Sequence, residues 1–405
     1  MLVKRKIEET ILKYLANREI IAIVGPRQCG KTTVMKKIFA DLENAVFLTF
    51  EDQDVLSLFD RDIKKFINTY VLGRDYLFID EFQYSKSGGK LLKYIYDQHH
   101  VKIIISGSSA IDLTVKAVKF LVGRVLVFKM FPFDFEEYLS FRDDVYYKLY
   151  TRERFDLARG DECTLATEQK KIFTSYYEEF MIYGGYPKVV VAQSIDEKKE
   201  ILKNIYNTYF LRDVKDILGL IDDYKLNNLI KALSLQVGQM VEQSELATIS
   251  KFSTPTIKKY FNFLAKTYIC DFARPFYRNK RKEIVKNKKV FFFDTGLRNQ
   301  VINDFRFLSD RPDAGALLEN IFWTEMIKRE FEPQFWRDKN KNEVDFILEI
   351  GEGRLIAIEV KRKMEKIISL PLSFTNDYKD AINYGAYLDG EKHSNSIKKI
   401  FLPLF

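Results

Sequence analysis

Residues 25–33 read Gly25-Pro26-Arg27-Gln28-Cys29-Gly30-Lys31-Thr32-Thr33, types and spacing that suit a bound phosphate. The glycines let the backbone curl until its N–H groups point inward, and the helix that follows adds its positive N-terminal end. Lys31 is expected to reach the β- and γ-phosphates of a nucleotide and Thr32 to hold Mg²⁺. The setting matches: the apolar run Ile20-Ile21-Ala22-Ile23-Val24 leads in as a strand, and residues 33–42 follow as a helix. Gly25, Pro26, Arg27, Gln28, Cys29, Gly30, Lys31, Thr32 and Thr33 are therefore the nucleotide-binding candidates. Cys29 reads mainly as a small filler residue within the loop.

Two further strand ends belong to the same chemistry. Tyr76-Leu77-Phe78-Ile79 runs into Asp80-Glu81, and strand C-termini are where open α/β sheets place their ligands. Asp80 is expected at the Mg²⁺ shell and Glu81 beside the attacking water. The strand Val101-Lys102-Ile103-Ile104-Ile105 ends in Ser106-Gly107-Ser108-Ser109. There Ser108 or Ser109 could orient water or sense the γ-phosphate, or the small residues simply make a turn.

A second set of chemistry-bearing residues lies near the C-terminus. Glu319 sits in the apolar helix-like run Leu317–Trp323; Asp345 opens the strand-like run Asp345–Leu348; Glu359 and Lys361 are two apart in Leu355–Lys361, hence on one strand face. A hairpin between the two runs would bring Asp345 to Glu359. Two carboxylates can hold a divalent metal, Mg²⁺ or Mn²⁺, and an adjacent lysine can activate water or stabilise charge on phosphate. This order resembles the PD-(D/E)xK restriction-endonuclease-like superfamily. The resemblance implies Asp345 and Glu359 as metal ligands, Lys361 as the catalytic lysine and Glu319 as the helical acid ahead of them. The chain departs from the pattern in having no Pro before Asp345, and an edge strand with charges on its wet face remains an alternative.

The elements that must position these residues are legible along the 405-residue chain. Strands are expected at 20–24, 45–50, 76–80, 101–106 and 125–130 with amphipathic helices between them, a parallel sheet covered on both faces. Residues 1–140 thus form a P-loop α/β domain, and Asp134 caps the helix that begins at Phe135. Residues 141–225 read as a helical lid or connector. Residues 226–294 read as a winged helix, with Thr256–Lys266 in the recognition position, Lys258 and Lys259 on its exposed face, and a basic wing at Lys280, Arg281 and Lys282 followed by Lys286, Lys288 and Lys289. Lysines there would contact DNA phosphates, although winged helices also serve as protein-contact modules. Residues 295–405 form the nuclease-like α/β domain.

Composition sets the outer bounds. The net charge of +8 permits a nucleic-acid partner without requiring one. The cysteines Cys29, Cys163 and Cys270 lie far apart, and with only His99, His100 and His393 a zinc site is not expected. No apolar stretch reaches the length of a membrane span, and a reduced cytoplasmic location is the expectation.

The phosphate loop, Asp80-Glu81-Phe82-Gln83, Ser106–Ser109, Leu121-Val122-Gly123-Arg124, Phe131-Pro132-Phe133, Tyr183-Gly184-Gly185-Tyr186-Pro187 and Phe293-Asp294-Thr295-Gly296-Leu297 occur in that order. In combination they resemble the prokaryotic AAA-type ATPases that carry a DUF4143 C-terminal region. The resemblance spans nearly the whole chain. It implies ATP as ligand and makes Arg124 a candidate for the γ-phosphate, in cis or from a neighbouring copy; a surface Arg after the Gly123 turn is the plainer reading. A homo-oligomer is compatible with an AAA-type core. The expected function is ATP binding and hydrolysis acting on DNA, with a metal-dependent nuclease as the C-terminal activity. The alternative is an ATP-dependent signalling or defence switch, or a DNA-binding regulator, whose C-terminal domain is a catalytically silent scaffold.

Overall fold

The computed structural model describes residues 3–107, 120–155, 164–210, 222–279, 281, 283, 286–351, 353–363, 370–389 and 398–405. The chain forms two compact units, one of Met1–Pro132 with Lys266–Ile269, the other of Phe133–Ala265 with Cys270–Phe405.

In the first unit five apolar runs become strands β1 (Ile20–Val24), β2 (Ala45–Thr49), β3 (Tyr76–Asp80), β4 (Lys102–Gly107) and β5 (Val125–Lys129). All pair in parallel, in the order β2-β3-β4-β1-β5. Because side chains alternate along a strand, β1 feeds two cores. Ile20, Ala22 and Val24 pack with Phe50, Phe59 and Phe82. Ile21 and Ile23 pack with Val34, Met35 and Ile38 of the helix Lys31–Ala40. Such double burial explains why the runs are nearly continuous in apolar residues rather than alternating. With β4 between β1 and β3, the C-terminal ends of those three strands lie side by side and carry Gly25, Gly107 and Glu81.

The second unit opens with the helix Phe135–Arg142, whose Asp134 cap and Glu137 form a reciprocal capping box. The segments 141–225, 226–294 and 295–405 contribute to this unit, apart from Lys266–Ile269. Helices Asp223–Leu235, Gln243–Ser250 and Thr254–Lys266 precede an antiparallel pair, β6 (Cys270–Ala273) with β7 (Lys289–Phe292). Val237 and Met240 add bridges to β7. The helix Ala314–Lys328 then leads into β8 (Gln334–Arg337), β9 (Glu343–Ile350), β10 (Arg354–Lys363), β11 (Ile382–Asp389) and β12 (Lys398–Phe401). Their order is β12-β11-β10-β9-β8, antiparallel from β8 to β10 and parallel from β10 to β12. The architecture is α/β, as expected.

Two of the glycine motifs prove to be parts of one buried clasp in this unit. Asp294 accepts the Gly185 amide at 2.8 Å on one oxygen and caps the helix Thr295–Ile302 with the other, from the Leu297 amide at 2.8 Å. Gly184 has φ +77°, and a Cβ there would stand 2.2 Å from Asp294 Oδ1. A Cβ on Gly296 would meet the Tyr183 carbonyl oxygen at 2.0 Å. Glycine is required at Gly184 by its left-handed backbone and the carboxylate packed against it, and at Gly296 by the close approach of the Tyr183 backbone.

Candidate functional site

The phosphate loop leaves β1 and turns sharply. Gly30 has φ 100° and Gln28 φ 59°, and a Cβ on Gly25 would lie 2.0 Å from the Met130 carbonyl oxygen. Arg5, a buried residue that reads in sequence as one of a basic N-terminal run, donates to the Cys29 carbonyl at 2.6 Å and to the Phe131 carbonyl at 2.7 Å. Cys29 is itself buried with its Sγ 3.3 Å from the Met130 carbonyl oxygen, in keeping with a filler role. The helix Lys31–Ala40 starts with no side-chain cap, so its first-turn amides are available to an anion.

Lys31 is only 4% exposed, and its Nζ donates to the carbonyls of Gly25 at 3.0 Å and Pro26 at 2.7 Å, curling back over its own loop. Thr32 Oγ1 donates to Asp80 Oδ2 at 2.6 Å, and the Ser106 hydroxyl donates to the other Asp80 oxygen. The Glu81 amide lies 3.4 Å from Ser106 Oγ. Glu81 has φ 53°, and its carboxylate accepts from the Gln83 side-chain amide. Burial pushes the Glu81 pKa up, opposed chiefly by the Lys31 ammonium. A glycine cradle, an uncapped helix start, a buried lysine and a carboxylate-hydroxyl pair fit a Mg²⁺-nucleotide.

The sequence did not single out the Ser106 hydroxyl. Ser106, the last buried side chain of β4, bonds Asp80. Ser108 lies outside the described residues. Arg124 lies at the opposite end of the sheet, since Ile20 pairs with Val125 and Val24 with Lys129. Those strands place it about 17 Å along the sheet from the loop of its own chain, at about 3.3 Å per residue over five residues. There its Nε pairs with Asp97 at 2.9 Å. The cis reading for Arg124 is therefore corrected: its place at the strand start fits the plain surface role.

The second set of candidates does converge. The β9–β10 register sets Phe346 opposite Ile358, so Asp345 faces Glu359 and Glu343 faces Lys361 on the same side. Asp345 Oδ2 accepts the Val360 amide at 2.8 Å. Lys361 Nζ is 2.6 Å from Glu359 and 3.9 Å from Asp345. Glu319, from the helix Ala314–Lys328, joins them. Its pKa is pushed up to about 8, by burial first and by the Asp345 charge second. Burial also raises Asp345 and Glu359.

One residue was assigned elsewhere by the sequence. Lys289, read as part of a basic wing, is 2% exposed in β7, and its Nζ pairs with Glu343 and with Glu319 at 3.4 Å. Burial works against its ammonium, but Glu319, Glu343 and Asp345 more than offset it, and its pKa stands above the usual lysine value. Lys289 reads as surface because Lys286 and Lys288 precede it; only the tertiary approach of Glu319 shows otherwise. Among the described residues no group of three or more His, Cys, Asp or Glu side chains is arranged to hold a metal. The acidic residues here are turned to lysines, so the arrangement as it stands does not fit a divalent ion.

Of the nucleic-acid candidates, Lys258 and Lys259 are exposed on the helix Thr254–Lys266, and Arg281 is exposed. Lys280 and Lys282 lie outside the described residues. Among the described residues no helix is long and apolar enough to cross a membrane.

Comparison with known proteins agrees with the phosphate-loop geometry. Residues 17–139 match the family model for an AAA domain, AAA_14. Residues 174–307 match a domain of unknown function, DUF8612, and residues 314–404 another, DUF4143. An uncharacterized protein of Haemophilus influenzae is 25% identical over 402 residues, covering 94% of this chain and 92% of its own length. One of Methanocaldococcus jannaschii is 25% identical over 357 residues, covering 85% and 74%. The solved Walker-type ATPase of Pyrococcus abyssi is 14% identical, covers 74% of this chain and 96% of its own, and superposes with a TM-score of 0.48. The chain thus carries an AAA domain of the AAA_14 family, followed by DUF8612 and DUF4143 domains.

Proposed function

We propose that the first unit hydrolyses ATP. The observation that carries this reading is the Thr32–Asp80–Ser106 hydrogen-bonded chain beside the phosphate loop, with Glu81 next to it. The loop amides and the Lys31 ammonium would take the β- and γ-phosphates, Lys31 exchanging its two carbonyl partners for phosphate oxygens. Thr32 and Asp80 would hold Mg²⁺, which when bound supplies a Lewis acid for the phosphate oxygens. Ser106 fixes the Asp80 carboxylate in one orientation. Glu81, with its pKa raised by burial, is placed to accept a proton from water attacking the γ-phosphorus. The test is phosphate release from ATP by wild type and by Asp80→Asn. The reading requires turnover in the first and a loss of at least about a hundredfold in the second, the scale of a removed electrostatic group.

A second reading concerns the larger unit. The order of three helices and an antiparallel pair, with a further bridge from Val237 and Met240, supports a winged helix, and adjacent exposed Lys258 and Lys259 on its third helix support contact with the DNA backbone. A Lys258→Ala/Lys259→Ala variant should then bind duplex DNA more weakly, with a shallower salt dependence by about two charges. Unchanged affinity and slope would leave this segment as a protein-contact module. For the C-terminal sheet, the helix-then-β8-β9-β10 order and the meeting of Asp345, Glu359 and Lys361 support kinship with the nuclease-like fold. Lys289 among the carboxylates favours a binding scaffold over a cleaving centre.

A further inference from the structure

The carboxylates of Glu319, Glu343, Asp345 and Glu359 gather over one face of the β9–β10 hairpin. Such a cluster would repel itself apart unless cations were present. Three are: Lys361 against Glu359 and Asp345, Arg337 at 3.4 Å from Glu343, and Lys289 against Glu319 and Glu343. Lys361 and Arg337 belong to the same sheet as Glu343, Asp345 and Glu359. Lys289 does not. It comes from β7, in the segment matched by DUF8612, while all four acids lie in the DUF4143 segment. Its Nζ bridges the helix acid Glu319 and the strand acid Glu343 and also lies over the Phe335 ring, 5.4 Å from the centroid. A lysine this deeply buried is costly and is retained where its charge has work to do.

We propose that Lys289 is the resident cation of this pocket: inserted from β7, its ammonium draws Glu319 and Glu343 to itself and closes the acidic cluster to divalent metal. Glu319 is thereby held to lysine instead of joining Asp345 and Glu359 around an ion. Metal and Lys289 compete for the same carboxyl oxygens. This goes beyond the ATP-hydrolysis reading and stands or falls separately from it.

The test is Mn²⁺ binding to the full chain without nucleotide, followed by calorimetry and by the Mn²⁺ electron paramagnetic resonance signal. Four proteins are compared: wild type, Lys289→Met, Lys289→Gln/Glu343→Gln, and the double variant with Asp345→Asn added. The double variant removes one charge of each sign, so it remains balanced and foldable if Lys289→Met alone does not. In Lys289→Met, opening the pocket should tighten Mn²⁺ binding by about a thousandfold or more, the effect of removing one like charge about 4 Å away at an effective dielectric near 20; the charge-balanced double variant should keep part of that gain, and Asp345→Asn should abolish it. The proposal is overturned if wild type already binds as tightly as the variants, or if a folded variant without Lys289 binds no better than wild type. Phosphate release from ATP, measured on the same samples, reports on the nucleotide site independently.

Discussion

Removing the Asp294 carboxylate should cost the second unit stability while leaving the nucleotide chemistry in place. The side chain is buried, and its two oxygens accept the Gly185 and Leu297 amides, both at 2.8 Å. In Asp294→Ala both amides lose their acceptor inside the protein. At about 1–3 kcal/mol for each buried donor left unsatisfied, the loss is about 2–6 kcal/mol. Asp294→Asn keeps one carbonyl oxygen but turns an NH₂ group toward the other amide, so about half or more of that loss should remain. Gly184→Ala attacks the clasp from the opposite side, because its Cβ would overlap Asp294 Oδ1 at 2.2 Å in a left-handed backbone. Urea unfolding followed by tryptophan fluorescence reads the second unit, since Trp323 and Trp336 both lie there. Asp294→Ala and Gly184→Ala should shift the midpoint in the same direction, and ATP turnover per folded molecule at low temperature should be preserved. An Asp294→Ala protein within about 0.5 kcal/mol of wild type, the spread of ordinary surface changes, would refute the clasp.

Three other outcomes follow from the geometry. Lys31→Ala should abolish nucleotide-dependent stabilisation, which for wild type amounts to about 2.7 kcal/mol at a ligand concentration one hundredfold above Kd; differential scanning fluorimetry with and without Mg²⁺-ATP reads it. Ser106→Ala removes one of the two side-chain donors on Asp80 and should cost about 1.5–3 kcal/mol in Mg²⁺-nucleotide affinity or turnover, the value of a hydrogen bond to a charged group, seen as a raised Mg²⁺ requirement in a titration of ATPase rate. Glu319 keeps its proton in the folded chain up to a pKa of about 8, whereas unfolded it titrates at an ordinary carboxyl value. Folding therefore gains from that proton below about pH 4.5, and the gain is lost as pH rises through 8. Unfolding midpoints should fall over that window in wild type and fall less in Glu319→Gln; equal slopes in the two proteins would contradict the assignment.

The first unit was largely legible because its signals are local. Five apolar runs, each buried on both sheet faces, announce themselves as strands, and the loop after β1 carries its chemistry in consecutive residues. Asp80 and Glu81 were found for the same reason. Ser106 was passed over in favour of Ser108 because nothing local distinguishes one serine from the next at a strand end; the register of β4 beside β3 does. Arg124 was a candidate through the family resemblance, but strand direction, a tertiary property, sets it at the far end of the sheet from the loop of its own chain. The Asp345, Glu359 and Lys361 grouping could be read from strand period and a hairpin. Lys289 could not: Lys286 and Lys288 before it read as a basic hairpin, and its partner Glu319 is 30 residues away. The clasp motifs were visible as glycine patterns, yet only the approach of Tyr183 to Gly296 and of Gly184 to Asp294 shows that they are structural parts that pack on each other.

The most direct test of the central claim is single-turnover ATP hydrolysis by wild type and Glu81→Gln, with bound nucleotide identified after rapid separation of the protein. Glu81→Gln keeps the Thr32–Asp80–Ser106 chain and Lys31, so it should bind Mg²⁺-ATP as wild type does and hold it with the γ-phosphate intact, while wild type converts it to ADP. Equal rates of conversion in the two proteins, or no nucleotide bound to either, would contradict the account.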